Sequence, residues 1–385
     1  MLKDCVVTPW SVSTKGDIDY LKLIEQFGTK PIDDDLITMF EKVTKKPAHP
    51  WIKRGIFFSH RELHNFLKAY EEGKPVFLYT GRGPTSDSLH IGHMIPFIFT
   101  QWLQEVFDCP LVIQIADDEK TYFKNMEFED VYRLGFENAK DIIAFGFNPE
   151  KTFIFSNRDY RLYTPDYERF ASSVTKYVTQ KTISKIFGLD ETATLGMYMW
   201  PVYQSIAAFS KSFPHIFGKQ TASCLVAYAI DQDPYFRLAR DIAIKENLPK
   251  PSSIMSTFLD PLTGPGKMSS SIGTEATIFL TDTEIVIRNK IKQYAFSGGG
   301  GNGSAAQHRQ YGGNPDIDIA CKYLNYFEFD DAKLASIKEK FSKGELSCSD
   351  TKNLLADKLI AIITNHQQRR NAVTEEILKK FYKTS

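Results

Sequence analysis

The sequence predicts an α/β protein, with a doubly wound parallel sheet followed by a C-terminal helical domain. Short apolar runs alternate with longer segments whose apolar residues recur at helical spacing, which is typical of strands joined by crossover helices. The runs are continuous rather than alternating, so both faces of the predicted sheet should be buried. Beyond residue 282 the strand pattern ends, and helical spacing continues towards the C-terminus.

The predicted elements begin with two short amphipathic stretches, at residues 19–27 and 34–43. Ser59 and Glu62 have the spacing of a capping box, so a helix is predicted from Ser59 to Tyr70. Buried strands are predicted at residues 76–80, 111–116, 152–156 and 224–230, and crossover helices at 89–107 and 129–145. A Gly-rich interruption at residues 297–304 precedes the last helical pattern, at residues 351–381.

Length and composition are compatible with roughly two or three domains and with a sizeable core, since 42% of the 385 residues are hydrophobic. The 47 basic and 47 acidic side chains balance, so any nucleic-acid surface must be a local patch. The five cysteines form no CxxC pair, which argues against a structural zinc site and fits a reducing compartment. Without a signal peptide or the roughly 20 apolar residues of a membrane span, a cytoplasmic protein is expected.

The first predicted strand ends in the turn TGRGPTSDSL, residues 80–89, which leads into a helix. Ligands of a doubly wound sheet bind beyond the carboxyl ends of its strands. Gly81 and Gly83 permit a tight reversal in which backbone N–H groups can face a ligand. Ser86 or Asp87 is a candidate N-cap, and the helix N-terminus that follows suits a phosphate group.

That helix opens with the string HIGH, residues 90–93. His90 and His93 are three residues apart and therefore share one helical face, from which they could donate hydrogen bonds to phosphates. Gly92 leaves room for an adenine ring to stack close to the backbone. A histidine pair alone is as often a surface pair or a fortuitous metal pair, whereas the strand–turn–helix context favours nucleotide binding.

A second loop, residues 263–271, has the sequence TGPGKMSSS. Its glycines allow movement, and Lys267 brings a compact positive charge on a flexible stem. Such a charge suits a reaction in which phosphate charge shifts, and closure of the loop over a nucleotide would bring it into place. The alternative interpretation is an ordinary solvated loop.

Together and in this order, HIGH and KMSSS closely resemble the two signatures of the class I aminoacyl-tRNA synthetases. Four further strings resemble the eukaryotic and archaeal tryptophanyl-tRNA synthetases: LYTGRGP from residue 78, VIQIADDEK from 112, AIDQDPYFR from 229 and AFSGG from 295. The resemblance implies ATP-dependent activation of L-tryptophan, with Mg²⁺ accompanying the ATP, then transfer to tRNA(Trp) by a homodimer. The alternatives are a tyrosyl-tRNA synthetase and a non-catalytic synthetase-like protein that binds RNA or takes part in signalling.

The resemblance also implies an amino-acid site. In it, Tyr79 and Gln114 read the indole N–H, while Glu119, Gln204 and Gln232 hold the α-amino group. Three of these residues have a plain structural alternative: strand-end packing for Tyr79, a solvated acidic turn for Glu119 and an aromatic core around Gln204. The motif context favours the binding role for all five residues.

For the nucleotide and the tRNA, the resemblance implies a second set of residues. The implied ATP-binding residues are Arg82, Gly83, His90, Gly92, His93, Lys267, Met268, Ser269 and Ser270, of which His90, His93 and Lys267 are catalytic. Phe296 is expected to stack on an anticodon base. Gly300 and Gly301 stand where relatives often carry charged residues, which leaves the anticodon contacts open.

The same resemblance divides the chain into three parts. Residues 1–70 are expected to form an N-terminal extension that packs on the active site. Residues 71–282 are expected to form a Rossmann-like catalytic domain, with a connective and dimerisation segment inserted at about 120–200. Residues 283–385 are expected to form a helical anticodon-binding domain.

Overall fold

The structure, a computed structural model, describes residues 5–9, 12–14, 18–266, 274–299 and 305–382. The loop residues predicted to bind ATP lie outside these ranges: Lys267, Met268, Ser269 and Ser270. Ser271, Gly300 and Gly301 also lie outside them. The roles given to these residues therefore stay predictions.

The strands in the described part of the chain are β1 Cys5–Val7, β2 Val12–Thr14, β3 Lys30–Pro31, β4 Phe57–Arg61, β5 Val76–Arg82, β6 Leu111–Ile115, β7 Thr152–Ser156, β8 Ser223–Ala229 and β9 Ser252–Ser256. Seven of them form one sheet in the order β3-β4-β9-β8-β5-β6-β7, and β1 pairs with β2 in a separate antiparallel hairpin. The strands from β9 to β7 run parallel, whereas β4 pairs antiparallel with both β9 and β3.

The helices are α1 Tyr20–Phe27, α2 Asp34–Thr44, α3 Pro50–Lys53, α4 Leu63–Glu71, α5 Ile91–Phe107, α6 Glu119–Lys124, α7 Phe128–Ile143, α8 Asn157–Tyr163, α9 Pro165–Thr175, α10 Gln180–Phe187, α11 Leu195–Ile206, α12 Pro214–Phe217, α13 Asp233–Glu246, α14 Glu284–Tyr294, α15 Ala305–Tyr311, α16 Ile319–Phe327, α17 Asp331–Ser342, α18 Cys348–Asn371 and α19 Glu375–Phe381. The chain builds β5, β6 and β7 in one direction and then crosses to place β8 and β9 on the other side of β5. The predicted doubly wound parallel sheet with a helical C-terminal part is confirmed.

Two apolar cores lie on opposite faces of the sheet. Along β5, Val76 and Leu78 belong to one core, while Phe77 and Tyr79 belong to the other. The first core continues into the C-terminal helices, where Leu355 of α18 is fully buried. Full burial of one such side chain stabilises the fold by about 1.5–3 kcal/mol, so the helical part is held directly on the sheet.

The helix predicted from Ser59 is wrong over its first residues. Residues 57–61 form strand β4, and α4 begins only at Leu63. Ser59 is buried and its hydroxyl contacts Met255 Sδ at 3.2 Å, so it is not available as a cap. The backbone N–H of Leu63 instead donates to Nδ1 of His60 at 3.2 Å. Pairing with β9 decides the conformation here, and a capping-box spacing cannot reveal a partner almost 200 residues away.

Strand β9 escapes prediction because its sequence, SSIMS, contains no apolar run. All five residues are nevertheless buried. The Ser252 hydroxyl donates to the carbonyl oxygen of Glu62 at 2.8 Å, so part of its polarity is satisfied within the protein. Small hydroxyl side chains fit a crowded interior, provided that they find such partners.

Candidate active site

A cavity of about 370 Å³ lies beyond the carboxyl ends of β5 and β8. These two neighbouring strands flank the switch point of the sheet, because β6 and β7 follow on one side of β5 whereas β8 and β9 lie on its other side. This is the place where doubly wound sheets bind ligands. All ten described residues that were predicted to bind tryptophan or ATP line it: Tyr79, Arg82, Gly83, His90, Gly92, His93, Gln114, Glu119, Gln204 and Gln232. The structure thus brings together residues that are up to 153 positions apart in the sequence.

A second cavity, of about 390 Å³, lies at the opposite end of the sheet. It is lined by Ser223 and Ser252, the first residues of β8 and β9, together with Glu62 and Lys250. It therefore opens at the amino ends of the strands, away from the switch point, and none of the described residues that were predicted to bind a ligand line it.

Tyr79 and Gln114 lie side by side on β5 and β6. The Tyr79 hydroxyl is 2.6 Å from Gln114 Oε1 and 3.2 Å from the backbone carbonyl oxygen of Gln204. Burial raises the pKa of Tyr79 well above its usual value, so the hydroxyl keeps its proton and donates it to one of these acceptors. The oxygen atoms of Tyr79 and Gln114 each keep a lone pair with which to accept a hydrogen bond from a ligand.

The remaining predicted tryptophan residues approach the cavity from helices. Gln204 of α11 donates from Nε2 to Gln232 Oε1 at 3.4 Å, and its half-buried side chain faces the cavity rather than a closed aromatic core. Glu119, at the start of α6, pairs with Lys120 at 2.8 Å. Since the Glu119 side chain is only 12% exposed, its charge is poorly screened and suits an ammonium partner.

Gly83 is required at its position by the closeness of Glu119. A β-carbon added to Gly83 would overlap Oε2 of Glu119 and would come within 2.9 Å of Cε of Lys120. The glycine thus allows the turn after β5 to lie against the Glu119–Lys120 pair. This is a use of glycine for close approach, in addition to the turn that the sequence predicted.

His90 and His93 open helix α5 as predicted, but in a different capping arrangement. His90 itself is the N-cap, whereas Ser86 donates its hydroxyl proton to the Ser88 carbonyl oxygen and Asp87 pairs with Arg133. The prediction of Ser86 or Asp87 as N-cap is therefore wrong. The two imidazole rings stack, with centroids 3.5 Å apart, and they border the cavity together with Gly92.

Arg82 bonds to His93, the second histidine of the HIGH string. Its Nη1 lies 2.9 Å from Nε2 of His93, its Nε donates to Asn138 Oδ1 at 2.9 Å, and its Nη2 donates to Thr85 Oγ1 at 3.4 Å. A guanidinium group only donates, so His93 Nε2 is the acceptor of this bond. Burial lowers the pKa of Arg82 to about 10, which still leaves it charged near neutral pH.

Two buried asparagines belong to the site although the sequence interpretation missed them. Asn138 of α7 is fully buried, accepts from Arg82 and donates to the Ser86 carbonyl oxygen at 2.8 Å. Asn157, directly after β7, accepts from Gln114 Nε2 at 2.8 Å. A signal existed for both, since Asn138 is a polar residue on the apolar face of a predicted helix and Asn157 follows the carboxyl end of a predicted strand.

Phe296 lies away from this cavity, in the segment that follows α14. Its backbone is held on both sides, because its N–H donates to the Leu262 carbonyl oxygen at 2.8 Å and its own carbonyl oxygen accepts from Ile319 at 3.1 Å. The ring is 48% exposed. An aromatic ring on a fixed backbone with an open face is suited to stacking.

Among the residues that the structure describes, no group of three or more His, Cys, Asp or Glu side chains could hold a metal ion. Within the same ranges, every helix is too short or too polar to cross a membrane.

A sequence model of the family described as tRNA synthetases class I (W and Y) matches residues 71–364. The cytoplasmic tryptophan–tRNA ligase of Oryctolagus cuniculus is 45% identical, with 98% of this chain and 80% of the relative covered. That of Saccharomyces cerevisiae is 46% identical, with 99% and 89% covered. The chain belongs to the class I tRNA synthetases of the W and Y family.

Solved structures of this family have the same architecture. The tryptophanyl-tRNA synthetase from Giardia lamblia superposes with a TM-score of 0.88 at 39% identity, covering 94% of this chain and 95% of that one. A product-bound parasite tRNA synthetase gives a TM-score of 0.90 at 45% identity, with 95% and 97% covered. The family match spans β5 to α18 and therefore includes every residue that lines the cavity from Tyr79 onwards.

Proposed function

We propose that this chain is a tryptophan–tRNA ligase, which activates L-tryptophan with ATP and transfers it to tRNA(Trp). The observation that carries the proposal is the pair of hydrogen-bond acceptors, Tyr79 and Gln114, at the base of a cavity at the sheet's switch point. The family includes enzymes of both the W and the Y type, and the curated relatives at 45–46% identity carry the tryptophan name. Since those relatives are named cytoplasmic, we place this chain in the cytoplasm as well.

In the proposed complex, the indole N–H donates to the oxygen atoms of Tyr79 and Gln114. The α-ammonium group lies against Glu119, Gln204 and Gln232, which offer a carboxylate and two amide oxygens. A substrate without a ring donor would leave the remaining lone pairs of these two buried oxygens without a hydrogen bond, at a cost of about 1–3 kcal/mol. The cavity thus selects by hydrogen bonding as well as by size.

Activation joins a carboxylate oxygen of tryptophan to the α-phosphorus of ATP, and the bond from that phosphorus to the pyrophosphate oxygen breaks. The N-terminus of α5, with His90 and Gly92, is proposed to receive the nucleotide, because its backbone N–H groups and positive dipole end suit phosphate. Arg82 and His93 border the same space and Lys267 is proposed to join them from the second loop. These groups stabilise charge and hold the reactants without forming a covalent intermediate.

Mg²⁺ is proposed to arrive with the nucleotide. Because the described residues provide no cluster of metal ligands, the triphosphate oxygens and water would supply most of its coordination. The protein's own contribution is the placement of the phosphates at the α5 N-terminus.

For the tRNA, we propose that an anticodon base stacks on the exposed ring of Phe296. We also propose a homodimer formed through the segment at about residues 120–200. Three large apolar side chains of that segment, Leu162, Tyr163 and Leu195, have most of their surface exposed, which supports a partner surface there. Light scattering of the purified protein would show a mass near twice 43.9 kDa if this is correct.

ATP–pyrophosphate exchange, measured with tryptophan and with tyrosine side by side, tests the function. We expect exchange that depends on tryptophan, followed by charging of tRNA(Trp). Exchange with tyrosine alone would instead assign the chain to the Y branch. Absence of exchange with either amino acid would indicate a non-catalytic RNA-binding or signalling role. Lys267→Ala should lower the exchange rate while leaving tryptophan binding nearly unchanged, which separates the two proposed halves of the site.

A further inference from the structure

A buried chain of hydrogen bonds begins at the Gln114 side chain and extends away from the cavity. Gln114 Nε2 donates to Asn157 Oδ1 at 2.8 Å, and Asn157 Nδ2 donates to Asp118 Oδ2 at 2.9 Å. Arg161 Nη1 lies 3.3 Å from the same Asp118 oxygen. Gln114, Asn157 and Asp118 are each at most 2% exposed, so water cannot replace these bonds.

The polarity of this chain is set by its charged end. A guanidinium group can only donate and an ionised carboxylate can only accept, so Asp118 accepts from both Arg161 and Asn157. Asn157 must therefore direct its NH₂ group at Asp118 and its oxygen at Gln114. Gln114 must in turn direct its NH₂ group at Asn157, which leaves its Oε1 facing Tyr79 and the cavity.

Reversal of the Gln114 amide would place two N–H donors at the base of the cavity. It would also set the Gln114 oxygen against the Asn157 oxygen, with no water to separate them, and an unmade bond in a buried network is costly. The Arg161 side chain is itself held, since its guanidinium carbon lies 3.8 Å from the centroid of the Tyr203 ring.

We infer that Asn157, anchored by Asp118, is a positioning residue that fixes the polarity of the Gln114 amide and thereby makes the cavity select a side chain with a ring N–H. The inference rests on the proposed function, because it names the residue that orients Gln114, a proposed acceptor of the indole N–H. Asn157 lies one residue beyond a buried strand whose end is next to β6, so it reaches Gln114 from a position outside the lining of the cavity.

The matching ligand probe is 3-benzothienylalanine, in which sulfur replaces the indole N–H while the bicyclic shape is kept. For the intact enzyme, we expect kcat/KM in ATP–pyrophosphate exchange to be roughly tenfold or more higher for tryptophan than for this analogue. In Asn157→Ala, the Gln114 amide can turn, and the preference should fall to within roughly twofold, through KM for tryptophan. KM for ATP should stay unchanged, which a general loss of structure would not allow.

Gln104→Ala is the matched control. Gln104 is also a buried amide next to β7, bonded to Thr152 Oγ1 at 2.9 Å, but at the amino end of that strand and away from the cavity. It should keep the full preference for tryptophan over the analogue. If Asn157→Ala does not fold, Asn157→Leu keeps more of the volume, removes the same bonds and carries the same expectation.

The outcomes separate this inference from the proposed function. An intact enzyme that uses tyrosine instead of tryptophan would remove the proposed function. An intact enzyme that uses tryptophan and the sulfur analogue equally well would overturn the inference while leaving that function in place. An unchanged preference in a folded Asn157 variant would overturn it as well.

Discussion

Nη1 of Arg82 lies 2.9 Å from Nε2 of His93, so the arginine at the end of the first parallel strand holds the second histidine of the HIGH string. Asn138 holds the arginine from the other side, with a bond of 2.9 Å to its Nε. The orientation of one imidazole at the proposed nucleotide site therefore depends on a fork of three donors. A lysine, with a single ammonium group, cannot reproduce that fork.

Arg82→Lys should lower kcat/KM for ATP in pyrophosphate exchange by roughly 10- to 100-fold, as expected when a charged hydrogen-bonding group loses about 1.5–3 kcal/mol. KM for tryptophan should change less, because the Arg82 side chain bonds to Asn138, His93 and Thr85 rather than to Tyr79 or Gln114. Arg133→Lys serves as the control, since Arg133 forms an exposed pair with Asp87. Equal losses in both variants would contradict a specific role for Arg82.

Gly83→Ala should disturb the amino-acid half of the site rather than the fold. The new methyl group would displace the carboxylate of Glu119, the mobile end of a side chain, so thermal unfolding should shift little. KM for tryptophan should rise roughly tenfold, because a charge-assisted hydrogen bond to the ammonium group is weakened.

Glu119→Gln provides the comparison for Gly83→Ala. If both act through the carboxylate, the double variant should be little worse than either single one, as expected for residues that share one interaction. Additive losses would show that the methyl group acts elsewhere.

The sequence was sufficient to predict which described residues line the cavity because several of them lie at strand ends, and the apolar runs that mark those strands are local signals. The family resemblance singles out Tyr79, Gln114 and Gln232, and their positions on or after predicted strands agree with this rule. Asn157 follows a predicted strand in the same way, but its role depends on a bond to Gln114, 43 residues earlier, and on the charge of Asp118. Such bonds are tertiary, so residue spacing does not reveal them.

The wrong helix start at Ser59 and the missed strand β9 have one physical cause, which is pairing between distant segments. The capping-box spacing at Ser59 is a local pattern, whereas β4, the strand that contains Ser59, is paired with β9, almost 200 residues away. Strand β9 itself lacks an apolar run and becomes a strand only because it lies between β4 and β8. Long-range pairing overrides a short pattern in both places.

Asp141 links Leu89, in the turn before the HIGH string, to helix α18. Removing an ion-pair partner from its buried charge should lower the stability of the protein. The fully buried carboxylate accepts from the Leu89 N–H at 3.2 Å, and it lies 2.8 Å from Nε of Arg370 and 3.3 Å from Nε2 of His366, both in α18. His366 and Leu89 still face the carboxylate without Arg370, so Arg370→Met should destabilise the protein by about 1.5–3 kcal/mol, measured as a fall in the urea midpoint. Asp141→Asn should recover part of this loss in the Arg370→Met background, because the amide is neutral and still accepts from Leu89.

Arg288→Met is the control for that cycle. Arg288 pairs with Glu284 and with Asp357 of the same helix α18, but its side chain is 42% exposed. An exposed pair contributes about 0–1 kcal/mol, so the urea midpoint should hardly move. If Arg288→Met and Arg370→Met are equally destabilised, burial of the Asp141 charge is not the cause.

His49 should make the stability depend on pH. Its Nδ1 accepts from the Trp51 N–H at 3.1 Å, and burial, reinforced by Arg54, lowers its pKa to about 4. The unfolded chain binds this proton near the ordinary value of about 6.5, so the folded state binds fewer protons between these limits. The stability contribution of the neutral ring is complete above about pH 6.5 and is lost, by up to about 1.4 kcal/mol per pH unit, as the pH falls towards 4.

His49→Asn isolates this contribution, because asparagine can still cap α3 but does not titrate. A comparison with wild type is necessary, since burial raises the pKa of Asp117 to about 7 and of Asp118 to about 6, and protonation of these groups favours the folded state as the pH falls. The variant should be less stable than wild type at pH 7, where it lacks the ring contacts with Trp51 and Trp102. The difference in stability should shrink as urea denaturation is repeated towards pH 4.5. Only the wild type has a buried imidazole that resists protonation, so only the wild type loses this contribution as the pH falls. Parallel pH profiles for the two proteins would show that His49 titrates alike in the folded and unfolded states.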